Sequence, residues 1–333
     1  MSQIKNNFID SIGNTPLIKL KGASEITGCN IYGKAEFMNP GGSVKDRAAL
    51  ALIRDAQNKK LISKGGIVVE GTAGNTGIGL GLLGNSLGYK TIIVMNDNQT
   101  QEKKDTIKNL GAELRLVPAK PYKDENNFVK IAGRLADELR PTNNNGVVWA
   151  NQFDNTANAK GHYEGTGKEI WEQTGGKIDG FVCSSGTGGT ISGVSNALKE
   201  KNKNIKIFLS DPKGSALYSY IKNGKLKSEG SSITEGIGSS RITKNFENAK
   251  IDDAYSVDDH EALPILYDLI KNEGLSLGTS CGINIAGAIR LGKELGPGKT
   301  IVTILCDKSD KYNSKMFNKS FLEEKKLPIP NWL

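Results

Sequence analysis

Short apolar runs at 66–70 (GIVVE), 91–95 (TIIVM), 112–117 (AELRLV), 147–150, 180–183, 205–210 and 300–306 (TIVTILC) alternate with stretches of helical periodicity near 77–87, 101–110, 126–140, 157–173, 190–200, 258–273 and 282–295. Strand-like runs that alternate with helices imply largely parallel sheets flanked by helices, so the expected class is α/β with two doubly wound domains. A polar run at Gln152–Thr156 marks the expected change of domain, giving an N-terminal α/β domain over 1–152 and a C-terminal one over 153–333. A segment at the N-terminus is expected to pack on the second domain. Each half carries the same local device: GIVVE leads into Gly71-Thr72-Ala73-Gly74-Asn75-Thr76-Gly77, and GFVCS leads into Ser185-Gly186-Thr187-Gly188-Gly189-Thr190. A strand, a glycine-rich turn and a helix start present backbone N–H groups and a positive dipole to an anion. Two anion sites are predicted.

A third segment, Asn39-Pro40-Gly41-Gly42-Ser43-Val44-Lys45-Asp46-Arg47, opens a helix rich in helix formers and nearly all apolar. Ser43 and Asp46 have the spacing of a capping box, in which each side chain would satisfy the other's backbone N–H. A buried helix holds its first turn rigidly and so fixes Lys45. Lysine amines form imines, and the two glycine turns give this one a job as the covalent anchor of a phosphate-bearing cofactor.

Composition narrows the field. The 333 residues exceed one average domain, and no run reaches the length of a membrane span. The polar start of the chain has no apolar signal core, which makes the cytoplasm the expected address. Cys29, Cys183, Cys281 and Cys306 lie far apart without C-x-x-C spacing, which argues against a zinc site or a disulfide framework. With 44 Lys and Arg against 36 Asp and Glu the formal net charge is +8, but the lysines are scattered and no aromatic-interleaved basic block exists. Nucleic acid is not an expected partner; small anionic ligands are.

Three further motifs fail on context. Gly79-Leu80-Gly81-Leu82-Leu83-Gly84 has dinucleotide-fingerprint spacing, yet it falls inside a predicted helix and reads better as close helix packing. Gly278-Thr279-Ser280-Cys281-Gly282 matches a nucleophile elbow, but both histidines, His162 and His260, precede the serine where such a hydrolase needs one after it. Gly298-Lys299-Thr300 resembles the end of a P-loop, but Lys293 stands where glycine is required. With two histidines and no clustered ligands, metal catalysis has little support. A lysine released from an imine is the remaining proton carrier.

A lysine after Ser-Val, an asparagine-bearing glycine turn, a G-T-G-G-T turn and a late G-x-S-x-G, in that order, resemble the fold type II pyridoxal-phosphate enzymes, the tryptophan synthase β-like fold. Within them the chain is similar to the cysteine synthase (O-acetylserine sulfhydrylase) and cystathionine β-synthase family, from Ile12-Gly13-Asn14-Thr15-Pro16-Leu17 to about Tyr312. The resemblance implies that Lys45 holds pyridoxal 5'-phosphate in imine linkage and later removes the substrate's α-proton. Asn75 would bond the cofactor's ring oxygen, Gly186, Thr187, Gly188, Gly189 and Thr190 would cradle its phosphate, and Ser280 would face the pyridine nitrogen. Thr72, Ala73, Asn75, Thr76 and Gln152 would serve the amino-acid substrate, with Gly236 in the loop beside the cofactor. A serine cannot stabilise a protonated pyridine as a carboxylate does, which favours β-elimination over transamination. The implied reaction replaces the acetate of O-acetyl-L-serine by sulfide. A homodimer, and a complex with serine acetyltransferase, follow from the same resemblance.

Departures from the family pattern keep other readings open. Ala73 stands where the family carries a serine hydroxyl, and a hydrogen bond to a charged group is worth roughly 1.5–3 kcal/mol. Asn98-Gln99-Thr100 is a more polar lining than the usual Thr-Met-Ser, and His162-Tyr163 and Glu235-Gly236-Ile237-Gly238 resemble the cystathionine β-synthase branch. Cystathionine β-synthase, cysteine desulfhydrase and a catalytically weak binding partner are the alternatives.

Overall fold

The computed structural model describes residues 4–72 and 74–333. Its strands, in chain order, are β1 (Leu17–Lys19), β2 (Asn30–Ala35), β3 (Ile67–Gly71), β4 (Lys90–Asn96), β5 (Glu113–Val117), β6 (Val147–Trp149), β7 (Gly180–Cys183), β8 (Lys206–Pro212), β9 (Asp253–Val257) and β10 (Thr300–Leu305). They form a four-stranded sheet ordered β5-β4-β3-β6 and a six-stranded sheet ordered β1-β2-β10-β7-β8-β9. Every pairing is parallel except β1 with β2, so the class is the expected α/β. The chain divides into two compact units: the segment ending at Gly13 with Asn39–Gly161, and Asn14–Met38 with His162–Leu333.

In the first unit, β3 is buried at every position and its side chains alternate between two apolar layers. Val68 joins Ala49, Leu52 and Ile53 of the helix Lys45–Asn58 and Leu80 and Leu83 of the helix Asn75–Leu87. Ile67 and Val69 face the opposite layer, with Ala132, Leu135 and Ala136 of the helix Phe128–Leu139. The glycines at 79, 81 and 84 lie within the helix Asn75–Leu87, and a Cβ on Gly79 would come within 3.1 Å of Ala49 Cβ. They serve close packing.

The second unit is built on β10, which pairs with β2 on one side and β7 on the other. Helix Thr279–Leu295 covers the sheet with Cys281, Ile285, Ala288 and Leu291 in the same apolar cluster as Val182, Phe208, Ile301 and Leu305. Two stretches expected as single helices are interrupted. Ala157–His162 passes through a π turn at Tyr163–Gly167 into Lys168–Gln173, and Asp259–Asp268 runs into a π turn at Leu269–Glu273. Such turns widen a helix by one residue and recur at functional sites. Periodicity did not reveal β1, β2 or β9. In β2, Gly33 and Lys34 break the apolar run, yet Lys34 is fully buried, donating to Thr15 O, Gln173 Oε1 and Glu169 Oε2. Among the described residues no helix is long and apolar enough to cross a membrane.

Candidate active site

Lys45 is the first residue of the helix Lys45–Asn58 and is half-buried. Its backbone N–H donates to Ser43 Oγ at 3.2 Å, while its amine has no hydrogen-bond or ion-pair partner among the described residues. The loop before it is tied down: Asn39 accepts from Gly13 N at 2.8 Å and donates to Ser43 O at 3.2 Å, and Gly42 adopts φ 78°. The expected capping box is not what forms. Ser43 serves the N–H two residues on, and the Asp46 carboxylate reaches back to Gly41 N at 2.5 Å. The turn through Pro40 and the two glycines curls over the helix start, which brings Gly41, and not Ser43, to the Asp46 side chain. The functional consequence is the same, because the first turn and the loop are locked together.

In the same unit β3 ends at Gly71, where an added Cβ would lie 2.7 Å from Val129 Cα. Thr72 follows, its N–H bonded to Val94 O at 3.0 Å and its Oγ1 accepting from Gly74 N at 3.3 Å. Ala73 lies outside the described residues. Asn75 opens the helix, and Thr76 Oγ1, buried, donates to Gln152 Oε1 at 2.6 Å. Gln152 is itself buried, in the turn after β6, with its carbonyl held by Asn158 Nδ2 at 2.9 Å. Thus two residues 76 apart in sequence, both expected to serve a carboxylate, are joined. The structure adds one residue that the sequence reading passed over. Glu70 is 0% exposed, and burial pushes its carboxyl up to about 8, against smaller opposing effects from the Asn151 and Gln152 peptide N–H groups and the Gln152 amide. The signal was available: an acid at the end of a run of β-branched residues is a polar group at a buried position.

In the second unit β7 delivers Ser184 to Gly188 ahead of the helix Gly189–Lys201. This turn is packed on every side. Ser184 N donates to Asn284 Oδ1 at 2.7 Å, Gly238 N to Ser185 O at 2.8 Å, and Thr243 Oγ1 to Thr187 O at 2.7 Å. Gly188 has φ 88°, and a Cβ there would sit 2.6 Å from Phe246 N; a Cβ on Gly186 would strike the Gly236 carbonyl. The peptide N–H groups of Gly186, Gly188 and Thr190 have no acceptor among the described residues, and the buried Ser185 Oγ has none either. Unpaired donors at the start of a long helix suit a phosphate. Thr190 Oγ1 lies 3.3 Å from Nε2 of the buried His162, whose Nδ1 meets Thr166 Oγ1 at 2.8 Å within the π turn. Gly236 has φ 76° with open space at its Cβ position, and the adjacent Glu235 pairs with Lys315 at 2.6 Å.

Ser280 lies in the first turn of the helix Thr279–Leu295, one residue past where the helix begins, and is buried. Its hydroxyl has no partner among the described residues, and neither has the buried Thr279 Oγ1. Gly278 makes the close approach possible, its N–H bonded to Asp307 O at 3.0 Å. Each unit by itself carries groups suited to an aldehyde-bearing, phosphorylated pyridine: the unpartnered Lys45 amine in the first, and the unpaired N–H groups at a helix start and the buried Ser280 hydroxyl in the second. The residues present fit pyridoxal phosphate.

A family model described as "Pyridoxal-phosphate dependent enzyme" matches residues 9–307. The chain belongs to this family, and its architecture is that of the fold type II enzymes that depend on pyridoxal phosphate. Cysteine synthase of Dictyostelium discoideum is 45% identical over 340 residues, covering 98% of this chain and 88% of that protein. Cysteine synthase 1 of Emericella nidulans is 49% identical over 327 residues, covering 97% and 87%. A solved structure of O-ureido-L-serine synthase superposes with a TM-score of 0.85 at 31% identity, over 95% of this chain and 96% of that one.

Proposed function

We propose that the chain is a cysteine synthase that replaces the acetate of O-acetyl-L-serine by sulfide to give L-cysteine. The observation that carries this reading is the Lys45 amine, held at the first turn of a buried helix with no partner of its own. The cysteine synthases it resembles along nearly their full length support the choice of substrate. Bound pyridoxal phosphate supplies an electron sink for the amino acid's α-carbon. The protein supplies position and proton transfer. Lys45 would hold the cofactor and, when released, carry the α-proton. Asn75 would serve the ring oxygen, Ser280 the pyridine nitrogen, and Gly186 to Thr190 the phosphate. Thr72, Ala73, Asn75, Thr76 and Gln152 would receive the amino acid, with Gly236 beside it.

On the same resemblance we read the enzyme as a cytoplasmic homodimer, with serine acetyltransferase as a candidate partner. Sedimentation velocity should then give twice the chain mass. The reaction is tested by supplying the cofactor-loaded protein with O-acetyl-L-serine and sulfide, with serine and homocysteine, or with cysteine alone. Cysteine formation from the first pair, at a rate well above either alternative, is expected. Sulfide release from cysteine as the dominant activity would overturn the assignment.

A further inference from the structure

We propose that Asp259 and Lys315 are positioning residues for the cofactor's phosphate: their charged groups clamp the loop around Gly236 against the turn Gly186 to Thr190. This deepens the reading above and rests on its assignment of the phosphate to that turn.

Residues 224–243, between the helices Leu217–Asn223 and Lys244–Glu247, contain no strand or helix. A segment of this length without regular structure is uncommon in a compact domain and is often functional. Its outer parts are tied by backbone: Gly214 N donates to Glu229 O at 2.8 Å, and Ala216 N to Ser239 O at 2.9 Å. Its middle is tied by charged side chains. The Asp259 carboxylate, buried in the first turn of the helix Asp259–Asp268, accepts from Ser232 Oγ at 2.6 Å and from Ile233 N at 2.8 Å. From another side, Lys315 Nζ meets Glu235 Oε1 at 2.6 Å and donates to Ile233 O at 3.3 Å. A peptide N–H and an ammonium only donate, so the direction of these contacts is fixed by the groups themselves. The start of a helix also favours the negative charge of Asp259.

The clamped residues adjoin the phosphate turn. Gly236 follows Glu235 directly, and its carbonyl stands where a Cβ on Gly186 would strike it. Two residues on, Gly238 N donates to Ser185 O at 2.8 Å. Gly236 and Gly238 adopt φ 76° and 83°, and glycine backbone has little stiffness of its own. The place of the Gly236 carbonyl therefore depends on the residues just before it, which are the ones that Asp259 and Lys315 hold. That carbonyl bounds one side of a turn whose Gly186 and Gly188 N–H groups have no acceptor among the described residues. With the clamp released, the turn can relax toward the loop and its N–H groups lose their aim. Asp259 is the stronger half, because it is buried, whereas the Lys315 and Glu235 side chains are 27% and 29% exposed and their attraction is screened by water and salt.

The test follows the cofactor as well as the fold. Wild type, Asp259→Ala, Asp259→Asn and Lys315→Met, each loaded with pyridoxal phosphate, are compared in three measurements. These are the rate of cofactor loss on dialysis, read by absorbance, the phosphorus-31 resonance of the bound phosphate, and the urea midpoint. Asp259→Ala should lose its cofactor about tenfold faster than wild type, with a shifted or broadened resonance. Asp259→Asn keeps an acceptor oxygen for Ile233 N and should recover part of that loss. Lys315→Met should lose cofactor about threefold faster. A rate and a resonance equal to wild type in Asp259→Ala would overturn the clamp, whatever the urea midpoint, since a merely structural role moves only the latter. If that variant does not fold, the same result in Lys315→Met would overturn it. Gly188→Ala retaining its cofactor would overturn the phosphate turn, and the clamp with it. A wild type that ignores O-acetyl-L-serine would overturn the cysteine synthase reading alone, because none of the three measurements involves that substrate.

Discussion

Both glycine-rich turns follow a parallel strand and lead into a helix of 13 residues, Asn75–Leu87 and Gly189–Lys201, yet the glycine just before the helix is used differently in each. At the second turn the glycines are there because nothing larger fits: Gly186 abuts the Gly236 carbonyl and Gly188 abuts the Phe246 backbone. Its carbonyls and N–H groups are pinned by Asn284, Thr243 and Gly238, leaving the remaining N–H groups fixed in space. At the first turn Gly74 has open space where a Cβ would stand, and the polar groups are side chains, Thr72, Thr76 and Gln152, that satisfy one another or the local backbone. The contrast separates two kinds of binding. On the roles proposed above, a phosphate that stays bound would be held by backbone made rigid through packing, and an amino acid that enters and leaves at every turnover would meet side chains whose resting partners stand ready when it goes.

Substitutions at the two turns should therefore fail differently. Gly188→Ala needs both a left-handed backbone and a Cβ 2.6 Å from Phe246 N, so the turn must move. Displacement of a positioned group by about 1 Å can cost on the order of 10²-fold in rate. The expected outcome is cofactor lost on desalting and activity reduced by that order, measured by absorbance and turnover. Gln152→Ala removes the acceptor of Thr76 and, on the proposed role, a donor to the substrate carboxylate. It should raise KM for the amino acid by roughly 10- to 100-fold, the value of about 1.5–3 kcal/mol of charged hydrogen bonding, while cofactor retention is untouched. Ala73→Ser restores a hydroxyl to the exchanging site and should lower that KM several-fold, read from initial rates. The smallest effect belongs to Gly74→Ala, where the space is open and the backbone, at φ −155° and ψ −145°, lies at the edge of the extended region. Its urea stability should stay within about 1 kcal/mol of wild type and its cofactor content should be unchanged. Cofactor loss in Gly74→Ala, or retention with normal rates in Gly188→Ala, would erase the distinction between the turns.

The parts of this picture that sequence displays are those with simple periodicity. β3, β4, β7 and β10 are apolar runs in the hearts of their sheets, and the turns that follow β3 and β7 carry glycines at fixed offsets. β2 was hidden by Lys34, because a lysine reads as surface unless its partners are known, and Glu169 and Gln173 arrive from more than 130 residues away. A segment near the N-terminus was expected to pack on the second domain, but its bounds, Asn14–Met38, were hidden for the same reason, since β2 joins that sheet through β10, at the far end of the chain. The Ser43 and Asp46 spacing suggested a capping box, but three-residue spacing does not encode the curl of the preceding glycine loop, which gave Asp46 a different donor. Glu70 was legible as an oddity and illegible as a neighbour of Gln152, because that proximity exists only once β3 and β6 pair.

Every role proposed for the cofactor depends on Lys45 carrying it. Borohydride reduction of the cofactor-loaded protein, followed by proteolysis and mass spectrometry, tests it most directly. A pyridoxyl-phosphate adduct is expected on the peptide containing Lys45 and on no other lysine. An adduct on a different lysine, or none after reconstitution with pyridoxal phosphate, would contradict it.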